Sequence, residues 1–159
     1  MSAKFDKQEL MRQVIAHLMR EFETLERAAN EAHEGATNSE VKQENKYDTR
    51  GLEASYLAAG QSRRALEVRG HIEKLKEIPL DPLGPNSVAV AGALVLIEGG
   101  QTSTRYFLLP FVGGIVLSTP SGDVKVVSTA SPLGQSLMGK SVGEDFIFNQ
   151  REFSVASID

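Results

Sequence analysis

Four carboxylates, Glu40, Glu44, Asp48 and Glu53, crowd one short stretch of this 159-residue chain. Hard oxygen ligands of that kind could hold a Mg²⁺ if phosphates or further acids completed its shell. A magnesium held that way positions and activates a water for phosphodiester cleavage. From spacing alone, the same acids read more simply as ordinary solvated residues near a helix start, where negative charge is favourable. A second candidate, Gly134-Gln135-Ser136-Leu137-Met138-Gly139-Lys140-Ser141, has the spacing of a phosphate loop. That chemistry needs a bare turn of backbone amides and a long helix starting at the lysine. Here helix-forming residues fill the supposed loop, and Val142-Gly143 ends any helix after Lys140, so nucleotide binding is disfavoured. There are no cysteines, and His17, His33 and His71 fall at no metal-like spacing. Disulfides, thiolate zinc sites and cysteine nucleophiles are excluded together. With no histidine after His71, a Ser-His-Asp set would have to borrow one from the first half.

The elements that must carry these residues differ in character between the two halves. All six prolines lie at or after position 79, and most of the charged residues lie before it. Pro79-Leu80-Asp81-Pro82-Leu83-Gly84-Pro85 ends any helix and stiffens the connection. The expected division is an N-terminal segment 1–78, a proline-rich linker 79–87 and a C-terminal domain 88–159. In the first segment, Met11, Ile15, Leu18, Phe22, Leu25, Ala29 and Ala32 recur at alternating steps of four and three, the period of a coiled-coil seam. Asp6 can cap this helix, with Glu9 completing a capping-box-like start. The pattern fades at Gly35-Ala36-Thr37-Asn38-Ser39, where small polar residues allow a turn. A second helix then runs from about Asp48 to Ile78, with Tyr56, Ala59, Leu66, Val68, Ile72 and Leu75 as its expected seam. A short connection favours antiparallel packing of the two.

After the linker the grammar is that of strands: 93–97, 105–111, 114–118 and 124–128, separated by Gly-Gly and Pro-Ser-Gly-Asp turns. Residues 131–138 read as a short helix, with Ser131 as cap, Pro132 in the first helical position and Gly139 just past the end. A closing hairpin follows over 146–158. The expected class is therefore α + (α+β): an antiparallel coiled-coil hairpin, then a compact β-rich domain with one short helix. The formal net charge of −4 gives no global attraction for nucleic acid phosphates, so direct, sequence-specific nucleic acid binding is disfavoured. The apolar runs 88–97 and 106–117 are too short to span a bilayer, and the start of the chain lacks a signal-peptide pattern. A soluble, cytoplasmic protein is expected.

The segment Ser131-Pro132-Leu133…Leu137…Gly139-Lys140…Gly143-Glu144-Asp145 resembles the Ser-Pro…Leu-(Ile/Leu)-Gly-Lys…Asp stretch of the Gre-type transcription elongation (transcript-cleavage) factors, GreA and GreB. Ala54-Ser55-Tyr56-Leu57-Ala58-Ala59 is similar to that family's Ala-Glu-Tyr-His-Ala-Ala run just after its hairpin tip. The resemblance implies an FKBP-like C-terminal domain that docks on the β′ subunit of bacterial RNA polymerase through Ser131, Pro132 and Leu133. It further implies a monomer whose hairpin enters the secondary channel. In the family an Asp and a Glu, three residues apart at the tip, support a Mg²⁺ shared with the polymerase, whose own active site cuts the transcript. The factor is then not an enzyme and holds no cofactor of its own. Anchoring on Tyr56 puts Thr49 and Leu52 where those acids stand, with Asp48 and Glu53 as neighbours. Anchoring on Glu44-Asn45 makes Glu40 and Glu44 the pair.

Two other readings stay beside this one. A non-cleaving factor would occupy the channel and regulate the polymerase. A coiled-coil scaffold would instead pair the Met11-to-Ala32 seam between chains and use its β domain for an unrelated partner.

Overall fold

The computed structural model describes residues 4–41 and 50–159. Two long helices come first, α1 (Lys7–Val41) and α2 (Arg50–Lys76). Six strands follow, β1 (Leu94–Gly99), β2 (Thr102–Leu109), β3 (Val116–Thr119), β4 (Gly122–Ser128), β5 (Asp145–Phe148) and β6 (Arg151–Ile158), with α3 (Pro132–Leu137) between β4 and β5. This is the expected order of helical pair and β-rich unit. The chain forms two compact units, one of Ile15–Lys74 and one of Met1–Val14 with Leu75–Asp159. The composition break at Pro79 thus falls inside the second of these.

Within the helical unit the arms are antiparallel. Glu21 meets Arg64 at 3.3 Å, while Gly35 lies 3.8 Å from the Ala54 side chain, measured from the position a Cβ would take. Rising numbers on α1 therefore match falling numbers on α2. The α1 seam is as expected: Leu18, Ala29, Ala32 and also Ala36 are buried, with Ile15, Phe22 and Leu25 half-buried. The α2 seam is not. Gly51, Ala54, Ala58, Gln61, Ala65, Val68 and Ile72 recur at steps of three and four and are all buried or half-buried. Tyr56, Ala59 and Leu66, expected in that seam, are exposed. Nor does the chain turn at Gly35 to Ser39, because α1 continues to Val41 and the Thr37 hydroxyl bonds to the His33 carbonyl one turn back. The seam expected to pair between chains is covered within one chain.

At the start of α1, Asp6 Oδ1 accepts from the amides of Gln8 (2.9 Å) and Glu9 (3.2 Å), as a cap should. Glu9 does not complete the box, since it pairs with Arg12 at 2.7 Å.

The strands form one mixed sheet in the order β3-β4-β2-β1-β6-β5. Only β2 and β4 run parallel; every other neighbouring pair is antiparallel. Phe107, Leu108 and Leu109 are consecutive and all fully buried. Successive strand residues point to opposite faces, so both faces are covered there. On one face Leu108 joins a cluster with Ala89, Val95, Ile97, Val127, Val155 and Leu137 of α3. On the other, Arg105 shares the side of Phe107 and carries the Phe5 ring at 4.4 Å. Gly92, with φ +92°, passes under Ile78 and Pro79 where a Cβ would collide with the Pro79 carbonyl. The first proline of the linker is thereby seated on the sheet unit.

Candidate functional site

Ser131 is positioned by the end of β4. Its hydroxyl donates to the Ser128 carbonyl at 2.7 Å and accepts from the Gly134 amide at 3.0 Å. One side chain thus closes the β4–α3 turn and caps the helix. Pro132 takes the first helical position, where its missing N–H costs nothing, and it is exposed. Leu133 is half-buried against the sheet cluster. Gly134 is buried so close to Ser128 and Thr129 that a Cβ would overlap the Ser128 carbonyl oxygen. The three residues expected to dock a partner are therefore together, but unequal: Ser131 is committed to the turn, Leu133 leans inward, and Pro132 faces solvent.

The far end of α3 is pinned as well. Gly139 donates to the Ala89 carbonyl and Ala89 to the Lys140 carbonyl, both at 2.8 Å, and Val88 bridges Ser141. Around this strap Val88 (40%), Met138 (37%) and Val142 (49%) stay exposed. None was singled out from the sequence. Their signal was an apolar residue falling just outside a strand or helix pattern, which is weak without the strap that joins residues 88–89 to 139–141.

The phosphate-loop reading fails here for the reason expected. Residues 132–137 are helix rather than a cradle of free amides, and no helix follows Lys140. Lys140 instead lies 3.7 Å from Glu144, whose other oxygen accepts from the Ser141 amide at 2.9 Å.

Of the acidic candidates, Glu53 is exposed in the first turn of α2, where a carboxylate complements the helix dipole. Glu40 belongs to the last turn of α1, with its side chain outside what is described; Glu44 and Asp48 lie outside the described residues altogether. Among the described residues no group of three His, Cys, Asp or Glu side chains is placed to hold a metal ion. Nor is any described helix long and apolar enough to cross a membrane.

The titrating groups that stand out are at the sheet unit. Burial pulls the Lys7 and Arg105 pKa values down, opposed in each case by Asp159 and for Lys7 also by Asp81. Burial likewise raises that of Tyr106.

Among solved structures, the chain is similar to the crystal structure of GreA factor homolog 1 (Gfh1) of Thermus thermophilus, at 23% identity, 91% of this chain, 94% of that one and a TM-score of 0.39. A structure of the transcription factor Gfh1 gives 23%, 91%, 92% and 0.38, and Thermus aquaticus Gfh1 gives 21%, 90%, 92% and 0.37. No family model and no curated protein matches the sequence.

Proposed function

We propose that this chain is a Gre-type accessory factor that binds bacterial RNA polymerase in the cytoplasm as a transcription regulator. Its sheet unit docks on the β′ subunit and its helical pair enters the secondary channel. The observation that carries the proposal is Pro132, exposed and fixed in pose by the Ser131 cap and the close approach of Gly134 to Ser128. A rigid, exposed apolar residue suits a protein partner, because little side-chain entropy is lost when it docks. The helical pair that precedes it supplies the second half of the resemblance.

The test is a pulldown with purified polymerase. Wild type should be retained, and Pro132→Glu, which the first helical position tolerates, should be retained about tenfold less at unchanged thermal stability. No retention of wild type removes the proposal.

Two mechanisms follow within it. In the first, Asp48 and Glu53, together with Glu44, support a Mg²⁺ shared with the polymerase, whose own centre cuts the transcript. In the second, the channel is occupied without cleavage. Exposed Leu52, which stands at an acid position of the family when Tyr56 sets the register, favours the second. Backtracked elongation complexes separate them: cleavage lost on changing Asp48 and Glu53 to Ala supports the first, and no cleavage with wild type supports the second.

A further inference from the structure

The seam between α1 and α2 changes its side chains part-way along. Over 15–25 and 61–72 it carries Leu18, Phe22, Leu25, Val68 and Ile72, all buried or half-buried. Over 28–37 and 50–60, every described residue that is not exposed is alanine or glycine, with Ala29, Ala32 and Ala36 on α1 and Ala54 and Ala58 on α2. The Glu21–Arg64 pair lies in the first stretch, and the approach of Gly35 to Ala54 lies in the second, so each stretch of α1 faces its counterpart on α2. The bulkier side chains of the second stretch, Leu52, Tyr56 and Leu57, are exposed.

Hydrophobic stabilisation follows the apolar area removed from water, so the outer arms gain far less from pairing than the inner ones. Local helix formation does not make up the difference, because a helix of roughly ten residues is marginal by itself. A separate observation points the same way. Gly60 stands where the two stretches of α2 meet, and nothing lies within 4 Å of where its Cβ would be. No contact in the chain calls for glycine there, yet a mid-helix glycine weakens a helix by a factor of about five relative to alanine.

We propose that the outer arms, 28–37 of α1 and 50–60 of α2, are a separate opening unit of the helical pair. They part and re-pair together, with Gly60 as the limit on α2, while the inner arms stay packed. Opening of this kind costs less than global unfolding and leaves the rest of the chain intact. A partner that encloses the paired arms binds only the closed form, so the closed fraction sets how much of its affinity is realised. The opening does not depend on the polymerase proposal; control of polymerase binding by the opening rests on it.

Amide hydrogen exchange of the full chain, read by mass spectrometry, is the test. Amides of 31–37 and 54–60 should exchange at least about a hundredfold faster than those of 15–22 and 66–74. Gly60→Ala should slow the amides of 54–60 about fivefold and leave those of 66–74 unchanged. Uniform protection along both arms overturns the proposal, as does a Gly60→Ala protein whose outer arm exchanges like that of wild type. Purified polymerase in excess should then restore protection to both outer arms. If wild type is retained by polymerase and the outer arms exchange as before, control of binding by the opening is wrong. If wild type is not retained, the polymerase proposal fails, while the opening measured on the free chain stands.

Discussion

Lys7 Nζ donates to the backbone carbonyl of Asp81 at 3.1 Å, joining the first turn of α1 to the proline-rich segment 74 residues later. Lys7 is only 9% exposed. The bond closes a clasp in which Asp159 faces Lys7 and Arg105, and Phe5 lies on Arg105. Replacing Lys7 by Met keeps the apolar stem and deletes the donor, leaving the Asp81 carbonyl short of a partner. Unfolding in urea should show a loss of about 1–2 kcal/mol.

The same lysine sets an alkaline pH dependence. Burial holds its folded pKa below the unfolded value. Between the two, the unfolded chain binds more protons than the folded one, so this group's contribution to stability rises with pH. The window is the alkaline range ending at the ordinary lysine pKa. Lys7→Met should flatten the rise, and an unchanged pH profile would refute the assignment.

The α2 seam makes a paired prediction. Val68 is 1% exposed and Leu66 is 68% exposed, two positions apart. Val68→Ala should cost about 2 kcal/mol in dilute solution by leaving a cavity between the arms. Leu66→Ala should change stability by less than about 0.5 kcal/mol. Equal losses would mean that Leu66 is packed within the chain after all.

That pair also explains where the sequence was readable. The α1 seam was legible because its apolar residues are large and lie on one face. On α2 the intramolecular seam is built from Ala54, Ala58 and Ala65, while the bulkier Tyr56 and Leu66 point away; ranking by hydrophobicity selects the wrong stripe. The turn expected at Gly35 failed for a related reason, since small residues there serve close packing against Ala54 rather than chain reversal. Short-range chemistry read well: Ser131, Pro132 and Gly139 bracketed α3 correctly. The parallel β2–β4 pairing had no local signal, being fixed by contacts far apart in the chain. The same holds for the strap that exposes Val88 and Met138 together.

At α3, Ser131→Ala and Gly134→Ala should differ in kind. Losing the Ser131 hydroxyl removes two hydrogen bonds at a half-buried cap and should cost about 1–2 kcal/mol. Gly134→Ala drives a methyl into the Ser128 carbonyl, so α3 must move off β4. It should cost more than the Ser131 change and, on the docking proposed above, weaken retention by polymerase. Thermal melts of the two variants, with wild type alongside, order the effects. A Gly134→Ala protein as stable as wild type would contradict the packing described.

The β5–β6 hairpin offers a stabilising change. Its two-residue loop places Asn149 at φ 50° and Gln150 at φ 64°, both left-handed, with Phe148 and Arg151 paired on either side. This is the twist that matches antiparallel strands, and Asn-Gly is the pair best suited to it. Asn149 tolerates the conformation, whereas Gln150 holds its Cβ against the following carbonyl at a cost of about 1–2 kcal/mol. Glycine removes that strain but loses more entropy on folding, which returns part of the gain. Gln150→Gly should therefore stabilise the sheet unit by a net of about 0.5–1 kcal/mol. Gln150→Val, β-branched and unable to sit comfortably at positive φ, should destabilise it. Urea unfolding of the two variants checks the sign, and a Gly variant less stable than wild type would mean the loop is not held in this conformation.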